Sequence, residues 1–328
     1  MAREKSQARK LPAFYEHYYD YPKTDLVGQV ISEERTPSFI LRRVEFSLSL
    51  PTEIALKDPE AFKARVEELA KTDRKTADDL KLRYVNRVDY YIPSGVKPGS
   101  KRPAILISPI LGGNMVVDHF ARYYAGRGYA AVIVHRKRIL WDPEDGGMEQ
   151  MENYMRVSVI RLRQALDWLE AQPEVDSARI GAFGVSYGAI LHTVLSAVEP
   201  RIRYHVLSMP AGDLADVIAD CPDKAITKVL RDVRERYGWS DQKIREDLKA
   251  VLRTDPLLLA PYVPRRQVEV YIAVFDRVVG AGRSWKLWKA LGRPKLRILP
   301  FGHYGGILVF PHLQTQSYLA FKRHLRRA

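Results

Sequence analysis

The sequence predicts an α/β fold: a mostly parallel, doubly wound sheet with an inserted helical cap and an N-terminal extension. Three observations lead there. From about residue 103 onward, short apolar runs alternate with helical patterns, as a parallel sheet covered by helices on both faces requires. Residues 214–264 break that alternation, with helical patterns and no strand. Residues 1–38 are polar and rich in tyrosine (Tyr15, Tyr18, Tyr19, Tyr21), the composition of an arm laid over a larger body. The expected organisation is an extension over residues 1–80 packed on a main domain over 81–328, with the cap inserted at 214–264.

The elements follow in order. Ser38 to Leu48 alternates partially and reads as a strand. Asp58 to Lys71 carries Phe62, Val66 and Leu69 at helical spacing, with Asp58 as N-cap and Pro59 in the first turn. Leu82 to Ile92 reads as a strand ended by Pro93-Ser94-Gly95. Pro103 to Ser108 is an apolar run of the kind buried on both faces. Val117 to Arg127 then reads as a helix and Tyr129 to Val134 as a strand. A loop with Asp142-Pro143-Glu144-Asp145-Gly146-Gly147 precedes a strong helix from Glu152 to Gln172, striped by Val159, Leu162, Leu166 and Leu169. Ser177 to Phe183 and Tyr204 to Met209 read as strands, with a helix after Ser186 between them. Inside the cap, helices are expected from Lys224 to Tyr237 and from Ser240-Asp241 to about Arg253. Val268 to Phe275 and Leu296 to Leu299 complete the strands, joined by a helix from Trp285 to Leu291.

The 328 residues are 46% hydrophobic, enough for a sizeable core. The single cysteine, Cys221, excludes an internal disulfide and any metal site built on cysteines, and it reads as an incidental residue of a polar loop. Lysine and arginine exceed the acids to give a net charge of +14. The basic residues are spread along the chain, densest at the ends (Arg3, Lys5, Arg9, Lys10; Lys322, Arg323, Arg326, Arg327), with no nucleic-acid-binding signature. A solvated basic surface is expected rather than a nucleic-acid partner. No apolar run reaches the length of a membrane span. Met1 to Ser6 leads into no apolar signal segment, so a cytoplasmic location is expected.

The chemistry is concentrated at Gly184-Val185-Ser186-Tyr187-Gly188. A strand precedes it and a helix follows. That context makes it a nucleophile elbow, with the serine on a sharp strand-to-helix turn and the Tyr187 amide at a helix N-terminus beside it. A serine hydroxyl needs a base within hydrogen-bond reach, and the base needs an orienting group. In open α/β sheets these lie at the carboxyl ends of strands. His303 follows the last strand, between glycines, and is the candidate base, with His135 at another strand end as its rival. Asp276 ends the strand before it and is the candidate acid, with Asp213 as the alternative. An oxyanion hole needs two amides. Tyr187 supplies one, and the loop Pro109-Ile110-Leu111-Gly112-Gly113-Asn114 the other, from Ile110 first and Leu111 next.

This set resembles the α/β-hydrolase superfamily over roughly residues 80 to 325, with Ser186, Asp276 and His303 matching its nucleophile, acid and base. Ser108 to Asn114 is similar to the oxyanion loop of the dienelactone-hydrolase and acyl-peptidase-like branches. The chain departs from dienelactone hydrolase in placing serine where that enzyme has cysteine, and in the extra helical segment. The resemblance implies the α/β-hydrolase fold and a serine esterase acting on a small-molecule ester, with no metal or organic cofactor. The same triad serves acyltransferases and small-peptide peptidases, and a hydrolase-like fold can also act as a non-catalytic binding protein. Residues 214–264 would shape the pocket, with Trp239, Leu257, Leu258 and Leu259 as candidate lining. Oligomeric state leaves no mark in the sequence.

Overall fold

Nine strands build one sheet in a computed structural model that describes residues 9–24, 26–95, 99–138, 147–305 and 310–326. Arg3, Lys5, Gly306, Arg327 and the loop residues Asp142 to Gly146 lie outside the described residues. The strands are β1 (Gln29–Arg35), β2 (Phe39–Ser47), β3 (Val85–Pro93), β4 (Arg102–Ser108), β5 (Ala130–Val134), β6 (Val175–Val185), β7 (Ile202–Ser208), β8 (Val268–Ala273) and β9 (Lys295–Leu299). Their spatial order is β1-β2-β3-β5-β4-β6-β7-β8-β9. The first three run antiparallel to their neighbours, and the six from β5 to β9 are mutually parallel.

The helices are α1 (Ala13–Tyr18), α2 (Pro59–Leu69), α3 (Arg74–Lys81), α4 (Met115–Ala125), α5 (Glu149–Glu170), α6 (Tyr187–Val198), α7 (Leu214–Asp220), α8 (Lys224–Tyr237), α9 (Asp241–Val251), α10 (Pro256–Leu259), α11 (Ala281–Ala290) and α12 (Phe310–His324). Alternate residues of the central strands face opposite sides of the sheet. Leu106, Val132 and Ala182 pack with Val159 and Leu166 of α5 and Val194 of α6. Ile105, Ile133 and Phe183 pack with Phe120 of α4 and Phe321 of α12. The central strands are therefore apolar throughout, as burial on both faces demands.

The extension behaves differently from an appendage. β2 pairs with β3 over its whole length, and β1 adds a further strand outside it. β1 leaves no strand signal in the sequence, because all seven of its residues are exposed. A charged edge strand carries no burial signal, and its charges discourage pairing with another chain. The tyrosines of the arm fasten it by their hydroxyls: Tyr15 to the Arg253 carbonyl (2.9 Å), Tyr18 to Glu152 (2.8 Å), Tyr19 to Thr254 (3.1 Å) and Tyr21 to Asp167 (2.6 Å). α3 was also missed. It is short and polar, begins on an Asp73 cap, and ends against Leu82, so β3 starts at Val85 rather than Leu82.

Between β7 and β8 come α7 to α10. Asp223 and Ser240 cap α8 and α9 by accepting from the Ala225 and Lys243 amides. No helix among the described residues is long and apolar enough to cross a membrane.

Candidate active site

The register of the sheet brings three strand ends together. Ser108 at the end of β4 lies opposite Gly184 of β6, and Val185 lies opposite Ser208 of β7. The chain then turns into α6. Ser186 takes φ 53° and ψ −120°, a conformation that costs a non-glycine residue of the order of 1–3 kcal/mol and is held only by its surroundings. Two hydrogen bonds hold it: its amide donates to the Ser208 carbonyl (2.8 Å), and its own carbonyl accepts from the Ile190 amide (3.0 Å). The two glycines are steric necessities. A Cβ on Gly184 would overlap the backbone of Gly188 and Ala189, and one on Gly188 would stand 2.5 Å from the Ser108 carbonyl oxygen. The sharp turn thus exists only where neither flank carries a side chain.

The histidine and aspartate reach Ser186 from the β8 and β9 side. His303 Nε2 lies 2.9 Å from Ser186 Oγ, and His303 Nδ1 lies 2.7 Å from Asp276 Oδ2. The other Asp276 oxygen accepts from the amides of Val278 (2.9 Å) and Val279 (3.1 Å), which fixes the carboxylate. A carboxylate only accepts, so the Nδ1 proton belongs between His303 and Asp276, and Nε2 is left as an acceptor toward Oγ. Asp276 is 5% exposed and Ser186 9% exposed, so the pair is screened from bulk water yet open to a ligand.

The alternatives stand elsewhere. His135 pairs with Asp89 at 2.8 Å and Asp213 with Lys286 at 2.6 Å. Burial pushes the Cys221 thiol up, so it stays protonated. It nevertheless lines the cavity, which the sequence did not signal.

Tyr187 opens α6, so its amide is one of the first-turn donors that lack an intrahelical acceptor. The loop after β4 faces it across the cavity, with Ile110, Leu111 and Gly112 on the wall. A residue absent from the sequence reading holds this loop. Arg136, 7% exposed, donates through one terminal nitrogen to the carbonyls of Ile110 (2.8 Å) and Leu111, and through the other to the Lys137 carbonyl (3.0 Å) and the Tyr154 hydroxyl (2.7 Å). Its guanidinium also lies 5.3 Å from the centre of the Tyr187 ring. In sequence Arg136 stands in a run with Lys137 and Arg138, and nothing there distinguishes it.

The cavity holds about 290 Å³ and opens beside Ser186 and His303. α7 and α8 contribute Leu214, Val217, Ile218 and Ile226 to it. Trp239, Leu257, Leu258 and Leu259 are not among its described lining residues. Trp239 stacks on Tyr237, and α10, which carries Leu257 to Leu259, packs on α6 instead. Among the described residues, no three His, Cys, Asp or Glu side chains gather as a metal ion would require.

The model of the X-Pro dipeptidyl-peptidase (S15 family) matches residues 63–221. The chain is 26% identical over 145 residues to an uncharacterized protein of Mycobacterium tuberculosis, covering 44% of this chain and 32% of that protein. It is 25% identical over 139 residues to polyketide transferase claH of Penicillium crustosum, covering 41% of this chain and 44% of that protein. The matches thus span less than half the length of these curated relatives. Two acetyl xylan esterases share the fold across nearly the whole chain. One, from a Paenibacillus species, has a TM-score of 0.68 at 14% identity and covers 99% of this chain and 100% of that one. The other, from a Thermoanaerobacterium species, has a TM-score of 0.61 at 15% identity and covers 96% and 98%. Strand order, elbow and these likenesses together give the chain the α/β-hydrolase fold.

Proposed function

We propose that this chain is a serine hydrolase that cleaves a carboxylic ester through an acyl-enzyme. One observation carries the proposal: the unbroken pair of hydrogen bonds from Ser186 Oγ to His303 Nε2 and from His303 Nδ1 to Asp276 Oδ2. His303 takes the Ser186 proton as Oγ attacks the ester carbonyl. Asp276 fixes the imidazole and stabilises its charge. The oxyanion is held by the Tyr187 amide and by an amide of the loop after β4. Ile110 and Leu111 are both candidates for that second donor. The Arg136 tie favours Leu111, because in a trans peptide the amide points opposite to the carbonyl it shares a plane with, and the Ile110 carbonyl faces Arg136. His303 then protonates the departing alcohol, and water hydrolyses the acyl-enzyme by the same route.

The test is hydrolysis of p-nitrophenyl esters by the wild type and by Ser186→Ala. Activity in the first and none in the second supports the proposal. Activity that survives the substitution contradicts it.

A second reading keeps the triad and changes the acceptor or the bond. The S15 match supports a peptidase, and the likeness to a polyketide transferase supports acyl transfer. An added alcohol or amine that captures the acyl group in place of water would favour the transferase.

A further inference from the structure

We propose that the acyl group of the substrate is an apolar chain of medium length, held in the cavity between α5 and α7; this rests on the serine-ester mechanism above. The direction comes from the topology. His303 and Asp276 follow β9 and β8, on one side of Ser186, whereas the loop after β4 and α5 come from the other side. The leaving oxygen must meet His303, so the alcohol departs on the β9 side. The acyl substituent then points toward the loop after β4 and α5.

What waits there is apolar. Met151 and Met155 of α5, Ile190 of α6, and Leu214 and Val217 of α7 form the wall. The described lining has no lysine, arginine or glutamate, and its one aspartate, Asp223, is engaged as the cap of α8. The two tyrosines on the α5 and α6 walls turn their hydroxyls into the protein: Tyr154 to the Lys137 carbonyl (2.7 Å) and Tyr187 to Ser158 (3.1 Å). Beyond Ser186 and His303, the remaining polar groups are the Cys221 thiol and Tyr304, whose hydroxyl donates to the second Asp223 oxygen (3.5 Å). A sugar, an aminoacyl group or a peptide would therefore leave most of its polar atoms unpartnered and would bind at a loss. An acetyl group would leave most of the 290 Å³ empty. Methionine walls, by contrast, adapt to a flexible chain.

The test is kcat/KM for p-nitrophenyl acetate, butyrate, hexanoate, octanoate and dodecanoate, which share one leaving group. The expected result is a rise of about fourfold per added methylene, the fold-change of ~0.8 kcal/mol per buried CH₂, to a maximum at hexanoate or octanoate. Ile226→Trp, which fills the cavity from α8, should lower the ratio of hexanoate to acetate. A wild type that prefers acetate, or that cleaves a glycyl-prolyl p-nitroanilide faster than any of these esters, overturns the proposal. A fluorophosphonate that labels Ser186 in the same preparation then shows that only the acyl pocket was misread. Absence of both labelling and ester hydrolysis overturns the pocket and the serine mechanism together.

Discussion

Two histidine–carboxylate pairs, each with its histidine beyond the end of a strand, stand on either side of the loop after β4, and only one has a strained serine against it. His303 and Asp276 close to 2.7 Å; His135 and Asp89 close to 2.8 Å. Burial alone would raise the Asp89 carboxyl, but hydrogen bonds and charge from His135 and Arg43 outweigh it and hold the group at about 2. The His135 pair lines a polar cavity of about 890 Å³ walled by charged side chains such as Arg43, Asp78 and Arg122. The His303 pair lies at the edge of an apolar one. A histidine–carboxylate pair is thus a frequent structural device. What turns one into candidate catalytic machinery is the elbow that presents Ser186 to it.

The comparison breaks most visibly by substitution on both sides. Ser186→Ala should lower kcat/KM for a p-nitrophenyl ester by at least about 10⁴-fold. His135→Ala should leave it within a few-fold. Asp276→Asn should lower kcat by about 10⁴-fold, by disturbing the imidazole that the aspartate orients. Asp89→Asn should keep kcat but shift the denaturant midpoint downward, with a loss of about 3 kcal/mol, the cost of breaking a buried ion pair. Equal losses of activity in Asp276→Asn and Asp89→Asn would erase the distinction.

Arg136 sharpens it further. It belongs to neither pair and lines the polar cavity while binding the loop that walls the apolar one. Arg136→Ala should lower kcat about 100-fold or more, the effect of losing an oxyanion donor, with a smaller change in KM. Arg136→Lys should recover part of kcat, since one ammonium cannot reach every acceptor of the guanidinium.

The smallest effect concerns His192, on the elbow helix. Burial holds its folded-state value at about 3, against 6.5 when unfolded. Its neighbour His205 is shifted the same way, first by burial and then by His192. The unfolded chain therefore binds the proton more readily, and stability falls as pH drops from 6.5 toward 3. Each such histidine contributes a slope of about 1.4 kcal/mol per pH unit. His192→Leu should flatten the acid side of the stability curve by one proton, read from urea midpoints across that window.

The elements that were legible in the sequence share one property: their signal is local. Gly184 and Gly188 mark the elbow because the turn is built within five residues. His303 and Asp276 follow from the rule that sites gather at strand ends. β4, β5 and β6 announce themselves as apolar runs because both faces are covered. The misses are cases in which tertiary structure decides. β1 pairs with β2 through the backbone ladder and the exposed Arg42–Glu33 ion pair, and buries no apolar face. α12 packs Leu313 and Phe321 into the core on one face of the sheet, yet its polar remainder hides that stripe in the sequence. Arg136 acts on carbonyls about 25 residues upstream, and its neighbours in sequence are equally basic. The cavity is lined from α7 and α8 rather than by the leucines of α10, because α10 turns onto α6.

The most direct test of the central claim is peptide mapping by mass spectrometry after reaction with a fluorophosphonate. One stoichiometric adduct is expected, on Ser186, that persists in His135→Ala and vanishes in Ser186→Ala and His303→Ala. An adduct on another residue, or labelling of Ser186 that needs His135 and not His303, would contradict it.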